Sequence, residues 1–173
     1  MRFEPLTERH GVDNFSCGEP IMDRWLIEHA LVNQRRSLSR TFVAVEGAPD
    51  DPDDEGIVAG YVTLVAAAIE VAQLPGRERR GLVGLDQIGA ALIARLARDE
   101  RYAKRQLGAW LLQQALHRII DADQHLAIRA VIVDALNDRA AGWYREWGFV
   151  PLPGGPDDRL WLPMKRVRRS LGR

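Results

Sequence analysis

The sequence predicts an α/β fold built as a mixed β-sheet layered with helices. Three observations predict it. Short apolar runs at 40–46, 57–67, 90–97 and 127–135 carry strand-forming residues. Segments of helical period interrupt them, from Pro20 and again after Lys104. The resulting order, β, α, β, β, β, α, β, α, β, is that of an α/β layer. With 173 residues, 46% of them hydrophobic and 28% charged, the chain reads as one domain over 1–173.

Each element has a local reason. RFEPL (2–6) alternates weakly and reads as a short edge strand. Pro20 suits a first helical turn, and Met22, Trp25, Leu26, His29 and Val32 follow at three- and four-residue steps. RTFVAVE (40–46) and IVAGYVTLVAA (57–67) pair as a hairpin across the Gly-, Pro- and Asp-rich segment 47–56. Residues 74–84 form a basic, glycine-punctuated loop. AALIARLA (90–97) reads as a buried strand broken only by Arg95, and AIRAVIVDA (127–135) is the strongest strand signal. Asn137 caps a short helix that Gly148 stops. RLWLPMK (159–165) closes the order, with Pro163 marking an edge strand.

Composition narrows the function. No apolar run approaches the roughly 20 residues that cross a bilayer. The first residues lack the apolar core of a secretory signal. A single cysteine, Cys17, cannot close an internal disulfide, so a reducing cytoplasm is the expected compartment. No closely spaced Cys/His cluster points to a metal. Net charge is zero but sorted: an acidic stretch runs over 46–55, and basic residues gather at 35–40, 77–80, 98–105 and 165–173. Among the basic residues only Lys104 and Lys165 are lysines, and arginine's planar fork suits phosphate. Solvated, scattered charge is the alternative reading of these clusters.

RLARDERYAKRQLGAWLL (95–112) sets Arg101, Lys104 and Arg105 beside a helix start, which is already electropositive. A bound anion would reverse the penalty, which makes strand, basic loop and helix with Gly108 a candidate phosphate cradle. A basic surface loop, with Gly108 serving helix packing, is the other reading.

This segment resembles the acetyl-CoA-binding segment of the GNAT acetyltransferase superfamily, whose Q/R-x-x-G-x-G/A motif falls on residues 103–108. Gly108 matches, whereas Ala103 and Gln106 replace the first residue and the first glycine. Two further stretches are similar to TacT/AtaT-type toxins of that superfamily: FSCGEPIMDRWLIEHALVNQRRSLSRTFVAVEG (15–47) and VDALNDRAAGWYREWGFVPLP (133–153). The resemblance implies a GNAT fold whose mixed sheet splays at the acetyl-CoA site, with helices on both faces. It implies acetyl-CoA as co-substrate, bound by Leu96, Ala97, Arg98, Arg105, Leu107, Gly108 and Asn137. It also implies that Tyr144 protonates the departing thiolate, although a tyrosine among Trp143, Trp147 and Phe149 also suits a core.

The chemistry is consistent. A phenol near pKa ~10 is protonated at neutral pH and can donate to a thiolate. AALIARLAR holds no carboxylate to act as a base, although Asp99 follows it. An α-amine near pKa ~7.8 is about 14% neutral at pH 7, whereas a lysine is about 0.04% neutral, so an α-amine needs less help. The implied function is a toxin that acetylates the α-amine of aminoacyl-tRNA and blocks translation. Arg35, Arg36, Arg77, Arg79, Arg80, Lys165, Arg166 and Arg168, the last three in the basic tail 165–173, are the candidate RNA contacts. A ribbon-helix-helix antitoxin and a homodimer are implied partners. Acetylation of a small amine or protein N-terminus, and a non-catalytic role as an antitoxin's partner, are the alternatives.

Overall fold

A computed structural model of the chain describes residues 1–47, 56–103 and 106–172. Seven strands form one mixed sheet: β1 (Arg2–Pro5), β2 (Arg40–Glu46), β3 (Ile57–Glu70), β4 (Gln87–Arg98), β5 (Ala130–Asp134), β6 (Val150–Pro151) and β7 (Arg159–Pro163). Their order is β1-β2-β3-β4-β5-β7-β6. The helices are α1 (Pro20–Arg24), α2 (Ala30–Arg35), α3 (Gly76–Arg79), α4 (Leu107–Asp123), α5 (Asp138–Glu146) and α6 (Met164–Ser170). The chain divides into two compact units, Met1–Val65 with Ala94–Ala115, and Ala66–Ile93 with Leu116–Arg173.

In the first unit β2 pairs antiparallel with both β1 and β3, as the hairpin reading requires. Residues 48–55 of the acidic stretch lie outside the described residues. A π-helical turn, Trp25–His29, joins α1 to α2, with the Ala30 amide reaching back five residues to the Trp25 carbonyl. Leu6, Phe15, Leu26, Ala30, Val43, Val45, Val58 and Tyr61 form this unit's core. Gly60 is required by close approach, because a Cβ there would lie 2.7 Å from the Leu111 side chain and 2.9 Å from the Ala97 carbonyl oxygen.

In the second unit β4 and β5 run parallel from Ala90↔Ala130 to Ile93↔Val133, and β4 itself continues to Arg98. β7 pairs with β5 on one side and β6 on the other, so it is an interior strand and the edge reading of Pro163 is wrong. β6 has only two residues, opposite Trp161 and Leu160, so Pro163 lies beyond its reach and its missing N–H breaks no β6 bond. The strand also ends earlier than expected. Met164 opens α6, so much of the basic tail is helical. The loop 74–84 contains the one-turn helix α3. Ile69, Leu74, Ile88, Ala90, Ala130, Ile132, Leu152 and Trp161 form the second core.

Candidate active site

The approach to α4 is built from groups far apart in sequence. Beyond β4, Asp99 is 1% exposed and its carboxylate accepts from four donors. The Ser16 amide donates at 3.1 Å and the Arg101 amide at 2.9 Å, and Arg101 adds a bidentate pair at 2.8 Å through Nε and Nη2. Burial by itself raises the Asp99 pKa, but the Arg101 guanidinium and the two amides outweigh it and hold the carboxyl below its usual range. Two expectations change here. Asp99 has no free lone pair with which to act as a base, and Arg101 neutralises a carboxylate instead of waiting for an anion.

The turn into α4 explains the motif's glycine. Gln106 has φ of 50°, in the left-handed region that glycine enters most easily. Its carbonyl accepts the first helical bond, from the Trp110 amide at 3.2 Å. The backbone therefore keeps a glycine-type turn with a glutamine in it. Leu107 is buried and Gly108 half-buried at the start of the 17-residue α4, whose first amides have no intrahelical acceptor. Leu96, Ala97 and Arg98 end β4 in the same unit as this turn, with Ala97 buried. Lys104 and Arg105 lie outside the described residues.

Tyr144 is set by α5. The helix starts at a capped end, where Asn137 Oδ1 accepts from the Ala140 amide at 2.9 Å, and stops at Gly148, φ 87°. The Tyr144 ring meets Trp143 and Phe149 edge-on, with centroids at 4.9 and 5.5 Å. Only 7% of the residue is exposed, and burial pushes the hydroxyl pKa up. Among the described residues the hydroxyl has no hydrogen-bond partner. A core tyrosine ordinarily has one. This phenol is neutral, protonated and uncommitted.

The candidate RNA contacts divide by what they already hold. Arg35 pairs with Glu8, Arg168 with Asp123, Lys165 with Glu78 at 2.7 Å, and Arg77 approaches Glu78 at 3.6 Å. Arg36, Arg79, Arg80 and Arg166 have no ion pair among the described residues. The Lys165–Glu78 pair brings α6 beside α3, which joins the 77–80 and 165–168 clusters within one unit. Arg35 and Arg36 belong to the other unit.

Sequence reading missed two groups. Arg95 places its guanidinium 4.7 Å over the Trp25 ring, which stacks on Tyr61 with centroids 6.0 Å apart. Trp25, inside the 15–47 stretch that resembles the toxins, was the available signal for this cluster. Glu78, 7% exposed between two cations, was hidden inside a segment that reads as basic. Cys17 offers no nucleophile, since burial and then the Asp23 hydrogen bond push its thiol up to about 12.

No family model matches the chain. It is 34% identical over 167 residues to a tRNA-acetylating toxin of Mycobacterium tuberculosis, covering 96% of this chain and 94% of that one. It is 32% identical over 177 residues to a probable toxin TacT of Sinorhizobium fredii, covering 98% and 94%. Among solved structures, AtaT complexed with acetyl-methionyl-tRNAfMet superposes with a TM-score of 0.87 at 27% identity, covering 98% of both chains. AtaTR bound with acetyl-CoA superposes at 0.84 and 27% identity, covering 98% and 97%. An AtaT mutant bound to both the C-terminus of the antitoxin AtaR and acetyl-CoA superposes at 0.82 and 25% identity, covering 99% and 98%. With a protonated, unbonded phenol on α5 and a glycine-type turn ahead of α4, this near full-length kinship makes the chain a member of the TacT/AtaT-type acetyltransferase toxins, on a GNAT fold.

Proposed function

We propose that this chain transfers acetyl from acetyl-CoA to the α-amine of an aminoacyl-tRNA and thereby inhibits translation. The observation that carries the substrate is its near full-length kinship with a tRNA-acetylating toxin. The whole chain, 1–173, serves as a single N-acetyltransferase domain.

The neutral α-amine attacks the thioester carbonyl carbon. A C–N bond forms, the carbonyl electrons move to oxygen, and the C–S bond then breaks. The Tyr144 hydroxyl gives its proton to the leaving sulfur, and the amine releases its own proton to water. Apolar surroundings raise the pKa of a thiol as well as that of a phenol, so this proton moves between groups shifted in the same direction. The backbone amides of Leu96, Ala97 and Arg98 donate to the carbonyl oxygen as it becomes anionic. The amides at Leu107 and Gly108, with Arg105, hold the pyrophosphate, and the left-handed backbone of Gln106 opens their approach. Asn137 contributes to acetyl-CoA binding from the cap of α5.

The unpaired arginines Arg36, Arg79, Arg80 and Arg166 contact RNA phosphates first, since they exchange only water for phosphate. Arg35, Arg77, Lys165 and Arg168 must also loosen an internal carboxylate. The active form is a cytoplasmic homodimer, and a ribbon-helix-helix antitoxin restrains it. Incubation with total charged tRNA and labelled acetyl-CoA tests the reading. Label on the α-amine of aminoacyl-tRNA, lost in Tyr144→Phe, is the expected outcome; label on lysine peptides alone overturns it.

A further inference from the structure

Arg95 stands on β4 directly ahead of Leu96, Ala97 and Arg98, whose amides are assigned above to the acyl carbonyl. Strand side chains alternate, so Arg95 shares a face with Ala97, about 7 Å along the strand. That face meets the core of the first unit, where Trp25 packs beside Phe15, Leu26 and Tyr61. The guanidinium lies over the Trp25 ring. Its Nε–H is buried without an acceptor, and Nη1 reaches only the Ala94 carbonyl, next in the chain, at 3.3 Å. Among the described residues no carboxylate pairs with it. A charge taken from water and left unpaired is costly, and the Trp25 face offsets only part of that cost. A group in this state calls for a partner that arrives with the substrate.

The reaction leaves a place for it. Asp99 is spent on four donors, so it cannot take a proton from the amine. Only about 14% of a free α-amine is neutral at pH 7. A nearby positive charge is a second way to obtain the neutral amine, because it disfavours the ammonium form. The other ionisable groups around Arg95 do not act in this way. Tyr61 donates its hydroxyl to the Met22 carbonyl at 2.9 Å, and burial keeps it neutral. Cys17 is a neutral thiol, and Asp23, which accepts from the Cys17 amide at 2.9 Å, is an anion that favours ammonium. Arg24, Glu28 and His29 are exposed, the last two 3.7 Å from each other, and Arg98 belongs to the opposite face of β4.

We infer that Arg95 is a catalytic residue: it donates to the ester carbonyl oxygen of the aminoacyl group and holds the adjacent α-amine in its neutral, nucleophilic form. The inference rests on the acetyl-transfer reading for the identity of the amine, and on the surroundings of the arginine for its chemistry. The amine lies three bonds from that oxygen. A guanidinium bonded to the oxygen therefore stands within about 4–6 Å of the nitrogen, the range over which charges shift each other's protonation. The ammonium proton passes to water as the ester seats, which leaves the nitrogen lone pair free to attack the thioester carbon. A phosphate of the RNA backbone suits Arg95 less well, since such phosphates meet exposed cations and this guanidinium is stacked and half-buried.

The test is the pH dependence of acetyl transfer to charged tRNA, followed both as the single-turnover rate at saturating substrates and as turnover over KM. The first reports the bound amine and the second the free one. In wild type the rising limb of the single-turnover rate should lie about one pH unit below that of turnover over KM. In Arg95→Met the two limbs should coincide, and the single-turnover rate should fall about eight-fold more at pH ~6 than at pH ~8.5. Arg95→Lys keeps the charge and should keep the separation. A role confined to stacking on Trp25 would lower the rates equally at every pH. Coincident limbs in wild type, or a separation that survives in Arg95→Met, overturn the inference. So does a reduced salt slope of tRNA binding in Arg95→Met with the limbs unmoved, the mark of a phosphate ligand. Should circular dichroism show Arg95→Met unfolded, loss of the separation in Arg95→Lys overturns it. Absence of any acetylation of charged tRNA sinks the enzymatic reading and this role together, whereas acetylation with coincident limbs sinks this role alone.

Discussion

Asp99 and Tyr144 are both nearly inaccessible, at 1% and 7% exposed, yet their acid groups are driven in opposite directions. Asp99 sits among four donors, which lower its pKa despite the burial that opposes them. Tyr144 sits among aromatic rings and has no hydrogen-bond partner among the described residues, and burial raises its pKa. Burial alone therefore does not mark a reactive group. The carboxylate is fixed in its charged state and organises a loop; the phenol is kept neutral and has a proton to give.

The sharpest way to break this comparison is Tyr144→Phe, which removes the proton and keeps the ring packing. Turnover should fall by about 10²–10⁴-fold, with acetyl-CoA affinity and melting temperature close to wild type, as read by single-turnover kinetics, calorimetry and thermal melts. A variant that retains wild-type turnover would return Tyr144 to the core.

Asp99→Asn should instead cost stability, about 1–3 kcal/mol, because a charged acceptor of several hydrogen bonds is lost. The sign with pH follows from the lowered pKa. The contribution is present above the usual carboxylate value near ~3.9 and is lost as pH falls through the lower folded value. Urea unfolding of both proteins should show their difference shrinking in acid.

Electrostatics gives a graded test of the RNA surface. Neutralising Arg79, Arg80 or Arg166 should each reduce the salt dependence of tRNA binding by about 0.7–0.9 in the log–log slope. Lys165→Gln should reduce it less, because Glu78 already occupies that ammonium. Equal slopes would mean that the internal pairs open freely in the complex.

The pH profile follows from the phenol. Turnover over KM should rise as the α-amine deprotonates near pH ~7.8, then stay level to about pH 10. The raised Tyr144 pKa places any falling limb beyond that range, and a descending limb near pH 9 would contradict the assignment. The smallest expected effect is from Gln106→Gly. Relief of the left-handed backbone, about 1–2 kcal/mol, is about half offset by about 0.5–1 kcal/mol of added chain entropy. Thermal melts should rise by about 2–4 °C at most, with slightly tighter acetyl-CoA binding.

The local parts of this architecture were legible. Asn137 and Gly148 bound their helix through contacts within a few residues, and the β2–β3 hairpin follows from two strand-like runs flanking a turn-rich segment. The members of the site were proposed from resemblance, and Gln106 shows how the turn itself survives a mismatch: it is a backbone property that glutamine can be forced to adopt. What stayed hidden depended on side-chain geometry or on distant partners. Arg101 reads as a phosphate ligand until Asp99 is seen beside it, and Asp99 reads as a base until Ser16 is seen to cap it from 83 residues away. β6 is too short to carry a period, so the interior position of β7 could not be inferred from Pro163.

The Ser16–Asp99 bond also has a consequence for how this protein is born. A ribosome releases Ser16 early, but its carboxylate partner is translated more than eighty residues later. Until then the loop leading to α4 lacks one of the bonds that shape it. The turn ahead of α4 thus cannot close until more than half of the chain has been made.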